Sequence, residues 1–201
     1  DSNISISSID WDSRETSWDF ERLPLLNNSS SLPASYSNWE EKVTEDFFNL
    51  HENEEELNRI FIDIYVLQDE LTPDVALKDI TILQEELDRG ELESRNGELL
   101  TKKTGLPIKK DVVIKQLLSY ATGCFMGRYR LDKSGLNIAH PKPTEDELSG
   151  YDYNNHAFEI DDDAIIPTMG SDSPFHDDIV ARTKEFIQMV WGDESLTENL
   201  N

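Results

Sequence analysis

Along most of this 201-residue chain the apolar positions fall three or four apart, the repeat of one helical face, and few stretches alternate. Trp39, Val43, Phe47 and Leu50 keep that spacing, and Ser37 or Asn38 can cap the start, so a helix is expected over 38–50. Leu57, Ile60, Phe61, Ile64 and Tyr65, with Leu67 or Gln68, draw a wider stripe and predict a helix over 54–70. The acidic run Glu52 to Glu56 sits favourably against the positive end of that helix's dipole and reads as a solvated first turn, not a metal site. Pro73, which lacks an amide proton, ends it. A helix over 110–129 puts Val113, Leu117, Tyr120, Ala121, Cys124 and Phe125 on a core face; it is the most apolar of the set and so is expected to be central. The last, over 175–191, opens near Pro174, carries Ile179, Phe186, Ile187 and Val190, and stops at Gly192, with a short helix from Asp193 or Glu194.

The rest reads as connection. Residues 1–36 mix Ser, Asn and Pro with isolated aromatics (Trp11, Trp18, Phe20, Tyr36), which predicts an extended arm whose aromatics dock on this domain or another. Residues 78–82 suggest a short extended piece. Loops are expected over 88–108, with Gly90, Gly97, Gly105 and Pro107, and over 132–172, with Gly135, Pro141, Pro143 and Gly150. The predicted fold is mainly α: a helical connector or spacer domain (37–201) with long loops, preceded by the arm. No internal repeat is visible.

Charge changes this picture more than composition does. The formal net charge is −24, which repels a phosphate backbone at long range. Residues 101–142 run the other way. They hold nine of the eighteen Lys and Arg against two of the forty-two acidic residues, so that window is +7 and the remainder −31. Lys102, Lys103, Lys109, Lys110, Lys115, Arg128 and Arg130 are therefore the candidate contacts to a DNA backbone, or to an acidic neighbouring surface. Compensation of the acidic helices within the chain is the competing use for the same charges.

Other chemistry is sparse. A lone Cys124 excludes an internal disulfide and fits a reducing, cytoplasmic compartment. No apolar run approaches a membrane span. The start without Met and the helical pattern of Leu196 to Asn201 suggest a piece of a longer protein. Asp161-Asp162-Asp163 and His176-Asp177-Asp178 read as turns or helix caps, because adjacent side chains diverge and cannot converge on a metal by themselves. His51, His140 and His156 are isolated. Gly123 and Gly127, four apart, permit close approach of another element to the helix and are read as packing residues. No catalytic residue and no metal ligand is assigned.

Four stretches, in order, resemble one family. They are Ser13-Arg14-Glu15-Thr16-Ser17-Trp18-Asp19-Phe20 with Pro24-Leu25-Leu26; the run from Asn53-Glu54-Glu55-Glu56-Leu57-Asn58-Arg59 to Leu71; Tyr120-Ala121-Thr122-Gly123-Cys124-Phe125-Met126-Gly127-Arg128-Tyr129; and Asp177-Asp178-Ile179 to the end. Together they resemble the adenine-specific DNA methyltransferases of bacterial phage defence (BREX), the PglX family, and related large restriction-modification enzymes. The resemblance implies a parent enzyme that moves a methyl group from S-adenosylmethionine to the exocyclic amine of adenine within a short site on double-stranded DNA. It also implies flanking methyltransferase and target-recognition domains as partners. The chain departs from such a parent by lacking both the Asn/Asp-Pro-Pro-Tyr/Phe adenine-pocket motif and a Gly-rich cofactor loop after a strand. It is thus expected to be a non-catalytic helical connector without its own cofactor. The alternative from another class is an acidic interaction module or DNA mimic; the basic window, which a mimic would not carry, separates the two.

Overall fold

Ser31 sets the start of the longest element. Its hydroxyl accepts the Ala34 N–H at 3.4 Å, Pro33 occupies the first turn where no amide proton is needed, and the helix α2 runs unbroken over Leu32–Tyr65. The computed structural model from which this is taken describes residues 2–94, 100–170 and 172–200. The two helices expected over 38–50 and 54–70 are thus one, about 50 Å long at 1.5 Å per residue. The polar triplet His51-Glu52-Asn53 contains no Gly or Pro, so nothing interrupts propagation once the helix is under way.

Chain contacts divide the molecule into two units. The first comprises Asp1–Asp12 and Asn38–Val113, the second Ser13–Ser37 and Ile114–Asn201. The stretch expected as one extended arm is therefore shared between both.

In the first unit the chain opens as a helix, α1 (Ser2–Asp12), where an extended arm was expected. Burial decides this over the weak propensity of a Ser-rich stretch: Ile6 joins the core of Phe47, Phe48, Leu50, Ile80, Ile82 and Leu87. The side-chain amide of Asn53 donates to Asn3 at 2.8 Å, and the Asp10 carboxylate accepts the Leu83 N–H at 2.9 Å. The segment expected as extended over 78–82 contains a 3-10 turn at Leu77–Asp79. Arg89, the first residue of a short helix α3 (Arg89–Ser94), donates to the carbonyls of Lys78 (2.6 Å) and Ile80 (3.1 Å) and so fixes that turn. Leu87 pairs with Ile108 across the loop expected over 88–108, of which Gly97 lies outside the described residues.

The second unit is built on α4 (Lys110–Phe125), whose face of Leu117, Tyr120, Ala121, Cys124 and Phe125 is buried as its spacing predicted. Phe20 lies edge-on to both Tyr120 and Tyr129, and Phe186 lies edge-on to Tyr120 and Phe125, giving an aromatic core. Phe186 comes from α6 (Ile179–Trp191), which starts at Asp178 and not at Pro174, because the Asp178 carboxylate accepts the Val180 N–H at 2.9 Å. A 3-10 turn and the short α7 (Leu196–Asn199) follow Gly192.

The expected loop over 132–172 holds structure of its own; Ser171, just beyond its turn residues, lies outside the described residues. A one-turn helix α5 (Glu145–Leu148) has a reciprocal cap, with Thr144 accepting from the Glu147 N–H and Glu147 accepting from the Thr144 N–H. Strands β1 (Tyr151–Tyr153) and β2 (His156–Phe158) pair antiparallel through Asn154 and Asn155, both at positive φ (49° and 69°), the conformation a two-residue hairpin demands. Among the described residues this hairpin is the whole of the sheet structure, and the fold is mainly α.

Candidate nucleic-acid interface

The seven candidate cations do not share one unit. Lys102, Lys103, Lys109 and Lys110 belong to the first, Lys115, Arg128 and Arg130 to the second.

In the first unit, Lys102 lies exposed along α2. Its ammonium donates to Asn49 at 2.8 Å and lies 3.5 Å from Glu52, so its charge is offset within the chain. Lys103 is exposed beside it, in a shallow groove that also includes His51, Glu55 and Val75. Lys109 and Lys110 stand at the beginning of α4, held there by the Lys109 N–H donating to the Glu86 carbonyl at 2.7 Å. That is the positive end of a helix dipole, where cations are unfavourable for the helix and raise the local potential further. Asp111 is the one acidic residue of that first turn.

In the second unit the end of α4 decides which arginine reaches solvent. Gly127 has a φ of 71°, the Arg128 N–H donates back to the Gly123 carbonyl at 2.8 Å, and the Gly127 N–H donates to that of Cys124 at 3.1 Å. These bonds close α4 at Phe125, earlier than the expected 129. Gly123 and Gly127 both lie against neighbouring side chains, though not on one helical face: Gly127 faces Ile138 and Ile160. Gly127 lies beyond the helix, and Gly123 admits the ring of Tyr129, which a Cβ would meet at 2.5 Å. The reversal leaves Arg128 exposed, its guanidinium 5.4 Å from the Tyr129 ring centre. Arg130 is committed inward: both ends of its guanidinium bond the two oxygens of Asp132 at 2.8 Å, and it lies 4.6 Å over the Tyr151 ring. Its hydrogen bond holds Asp132 below the usual carboxylate range. Lys115 is exposed on α4.

Arg128 faces an open depression that it shares with Glu15, Trp18, Asp19, Glu21 and Ser134. Three carboxylates against one guanidinium make the hollow acidic, which disfavours a phosphate there. Of the two sites expected for the arm's aromatics, this domain or another, Trp18 does not use the first, being 100% exposed, whereas Phe20, two residues on, is buried in the core. Its exposure has no signal in periodicity, because the loop has none.

The acidic groupings act as caps. Both Asp161 and Asp163 accept the Ile165 N–H, at 3.2 and 2.8 Å, although the three carboxylates of Asp161, Asp162 and Asp163 approach within 4.8 Å of one another. The buried Asp178 carboxylate also accepts the N–H groups of Met169 (2.8 Å) and Gly170 (3.2 Å), and these bonds, the Val180 N–H first, hold it below its ordinary value. Cys124 is buried, and burial pushes its thiol up to about 12, away from nucleophilic chemistry. Among the described residues no helix is long and apolar enough to cross a membrane.

No family model matches the chain. It is 35% identical over 200 residues to the adenine-specific methyltransferase BrxX of Escherichia coli O9:H4 (strain HS), covering 98% of this chain and 16% of the relative. It is also 35% identical over 208 residues to the adenine-specific methyltransferase PglX of Lacticaseibacillus casei (strain Zhang), covering 100% of this chain and 15% of the relative. By sequence the whole chain is similar to one segment of these much longer adenine-specific methyltransferases. The particular members it resembles are those of the BREX type, BrxX and PglX, as its four sequence stretches suggested.

Proposed function

We propose that this chain serves as a non-catalytic helical segment of a site-specific adenine DNA methyltransferase in phage defence, joining the catalytic and target-recognition parts. One observation carries the reading. A match that covers the whole chain covers 16% and 15% of two methyltransferases, and within that share the residues that would form an adenine pocket and a cofactor loop do not occur. Adenine must leave the duplex to be methylated and enter a pocket encoded elsewhere. S-adenosylmethionine is accordingly assigned to the parent enzyme and not to these residues. What they offer instead is a long helix, a capped aromatic core and a group of lysines at the start of α4.

Calorimetric titration of the chain with S-adenosylmethionine tests this, together with incorporation of labelled methyl groups into DNA. The expected result is no saturable heat and no incorporation, while the longer polypeptide containing these residues methylates adenine. Micromolar binding at a defined site of the 201-residue chain would overturn the reading.

A further inference from the structure

The apolar stripe of α2 has two halves with opposite fates. In the first, Trp39 and Val43 are packed on the core of the first unit and Phe47 and Leu50 are buried within it. The side that carries Trp39, Val43 and Leu50 continues through Leu57, Ile60, Phe61 and Ile64, which are 47%, 43%, 54% and 63% exposed. At 100° per residue these four are centred roughly 140° away from the face formed by His51, Glu55, Asn58 and Ile62. That face is already occupied: His51 bonds the Val75 carbonyl at 2.8 Å, Glu55 accepts the Val75 N–H at 3.2 Å, and Asn58 donates to the Pro73 carbonyl at 3.2 Å. The stripe is therefore neither a packing error nor a rotated helix. It is a second apolar face, and single exposed apolar residues are ordinary whereas a contiguous run of four at helical spacing marks a contact surface.

The position of α1 indicates what covers it. Asn3 bonds Asn53, and Ile6, one turn on, lies in the core with Phe47, Phe48 and Leu50. From its beginning, α1 thus runs from the Asn53 level of α2 back toward the earlier turns. Backbone continuing helically ahead of Ser2 would travel the other way, over Leu57 and then Phe61 and Ile64, about 10 Å further along α2. We propose that the uncovered half of α2 is the docking face for the N-terminal continuation of α1 in the longer methyltransferase polypeptide. This rests on the reading that the chain is one segment of such a protein, as relatives more than six times its length imply. The border of the stripe states the chemistry of the occupant. Glu54, Glu56 and Asp63 flank it, with Arg59 already paired to Glu56, so the occupant is an apolar helix face bordered by Lys or Arg. A second copy of this chain, at −24, would bring like charge to the same border.

The test places a thiol at Ile64 (I64C) in three polypeptides: the 201-residue chain, the chain extended by the residues that precede it in the longer protein, and that whole protein. Maleimide labelling is followed by mass spectrometry of the peptide that carries residue 64; the native Cys124 is buried and silent. Labelling is expected to be fast in the 201-residue chain at every concentration, and slower by at least about tenfold in the other two, as for a site that reacts only on local opening. Equal rates in all three would overturn the proposal. So would protection in the whole protein but not in the extended chain, which assigns the face to another region. Slow labelling of the 201-residue chain that speeds up on dilution would assign it to self-association. Methylation of DNA by the same whole-protein preparation is scored separately, so an inactive but protected enzyme counts against the functional reading alone.

Discussion

Val66 terminates α2 in a conformation that suits it poorly. Its φ is 57°, the Leu67 N–H reaches back to the Ile62 carbonyl at 2.9 Å, and a β-branched residue therefore stands where the turn asks for glycine. The left-handed region costs an L-residue roughly 1–2 kcal/mol and glycine gives back part of that in entropy, so V66G is expected to raise stability by about 1 kcal/mol. A lower urea midpoint for V66G at unchanged slope would contradict this. Gly123 presents the opposite case. G123A drives a methyl into the Tyr129 ring and is expected to cost roughly 1–3 kcal/mol, with a double-mutant cycle to Y129A showing strong coupling because the ring is what the methyl meets. Asp178 makes stability depend on acid. Its carboxylate is held below the ordinary aspartate value, so the stability it adds is fully present above about pH 4 and is lost as pH falls through the lower folded value. Thermal melts of the native chain and D178N should therefore differ at neutral pH, with the gap narrowing as pH falls below about 4; a gap that does not change with pH would show that charge on Asp178 is not the cause.

At the scale of elements, the spacing of apolar residues located three of the helices, and local chemistry set where they stop. The core face of α4 was legible because Leu117, Tyr120, Ala121, Cys124 and Phe125 repeat correctly; its end was not, because Gly127, four residues after Gly123, looks like a continuation of one helical face. The hairpin was hidden inside a long polar stretch, although Asn154-Asn155 between Tyr151-Asp152-Tyr153 and His156-Ala157-Phe158 is a turn signal of the right length. The helix α1 was not legible at all, since nothing in Ser2–Asp12 marks Ile6 as the residue that enters a core. Of the candidate interface, the sequence named every cation but could not show which were taken. Arg130 commits its fork to Asp132 and Lys102 its charge to Glu52, and both partners are distributed along the chain without a pattern.

For the molecule as a whole, the charge asymmetry is the feature with the widest reach. If the start of α4 meets DNA in the parent enzyme, Lys103, Lys109 and Lys110 are the candidates to touch it, and Lys102, already beside Glu52, is expected to contribute less. Replacing those three with Ala in the full-length methyltransferase is expected to weaken binding equally on cognate and unrelated duplexes, because phosphates carry no base information. The dependence of log affinity on log salt should flatten by roughly 0.9 for each phosphate no longer neutralised, and an unchanged slope with intact circular dichroism would leave these lysines as solubilising charge. The tryptophans offer another handle. Trp18 stands wholly in water, while Trp191 is buried with its indole N–H donating to the Ser35 hydroxyl at 2.9 Å. Intrinsic fluorescence of the chain therefore superposes a red-shifted component from Trp18 and the 62% exposed Trp11, open to quenching by neutral acrylamide, and a blue-shifted one from Trp191, shielded from it. Any macromolecule that settles on the loop bearing Trp18 would remove that residue's share of the quenchable fraction and leave that of Trp11, giving an optical titration that needs no dye.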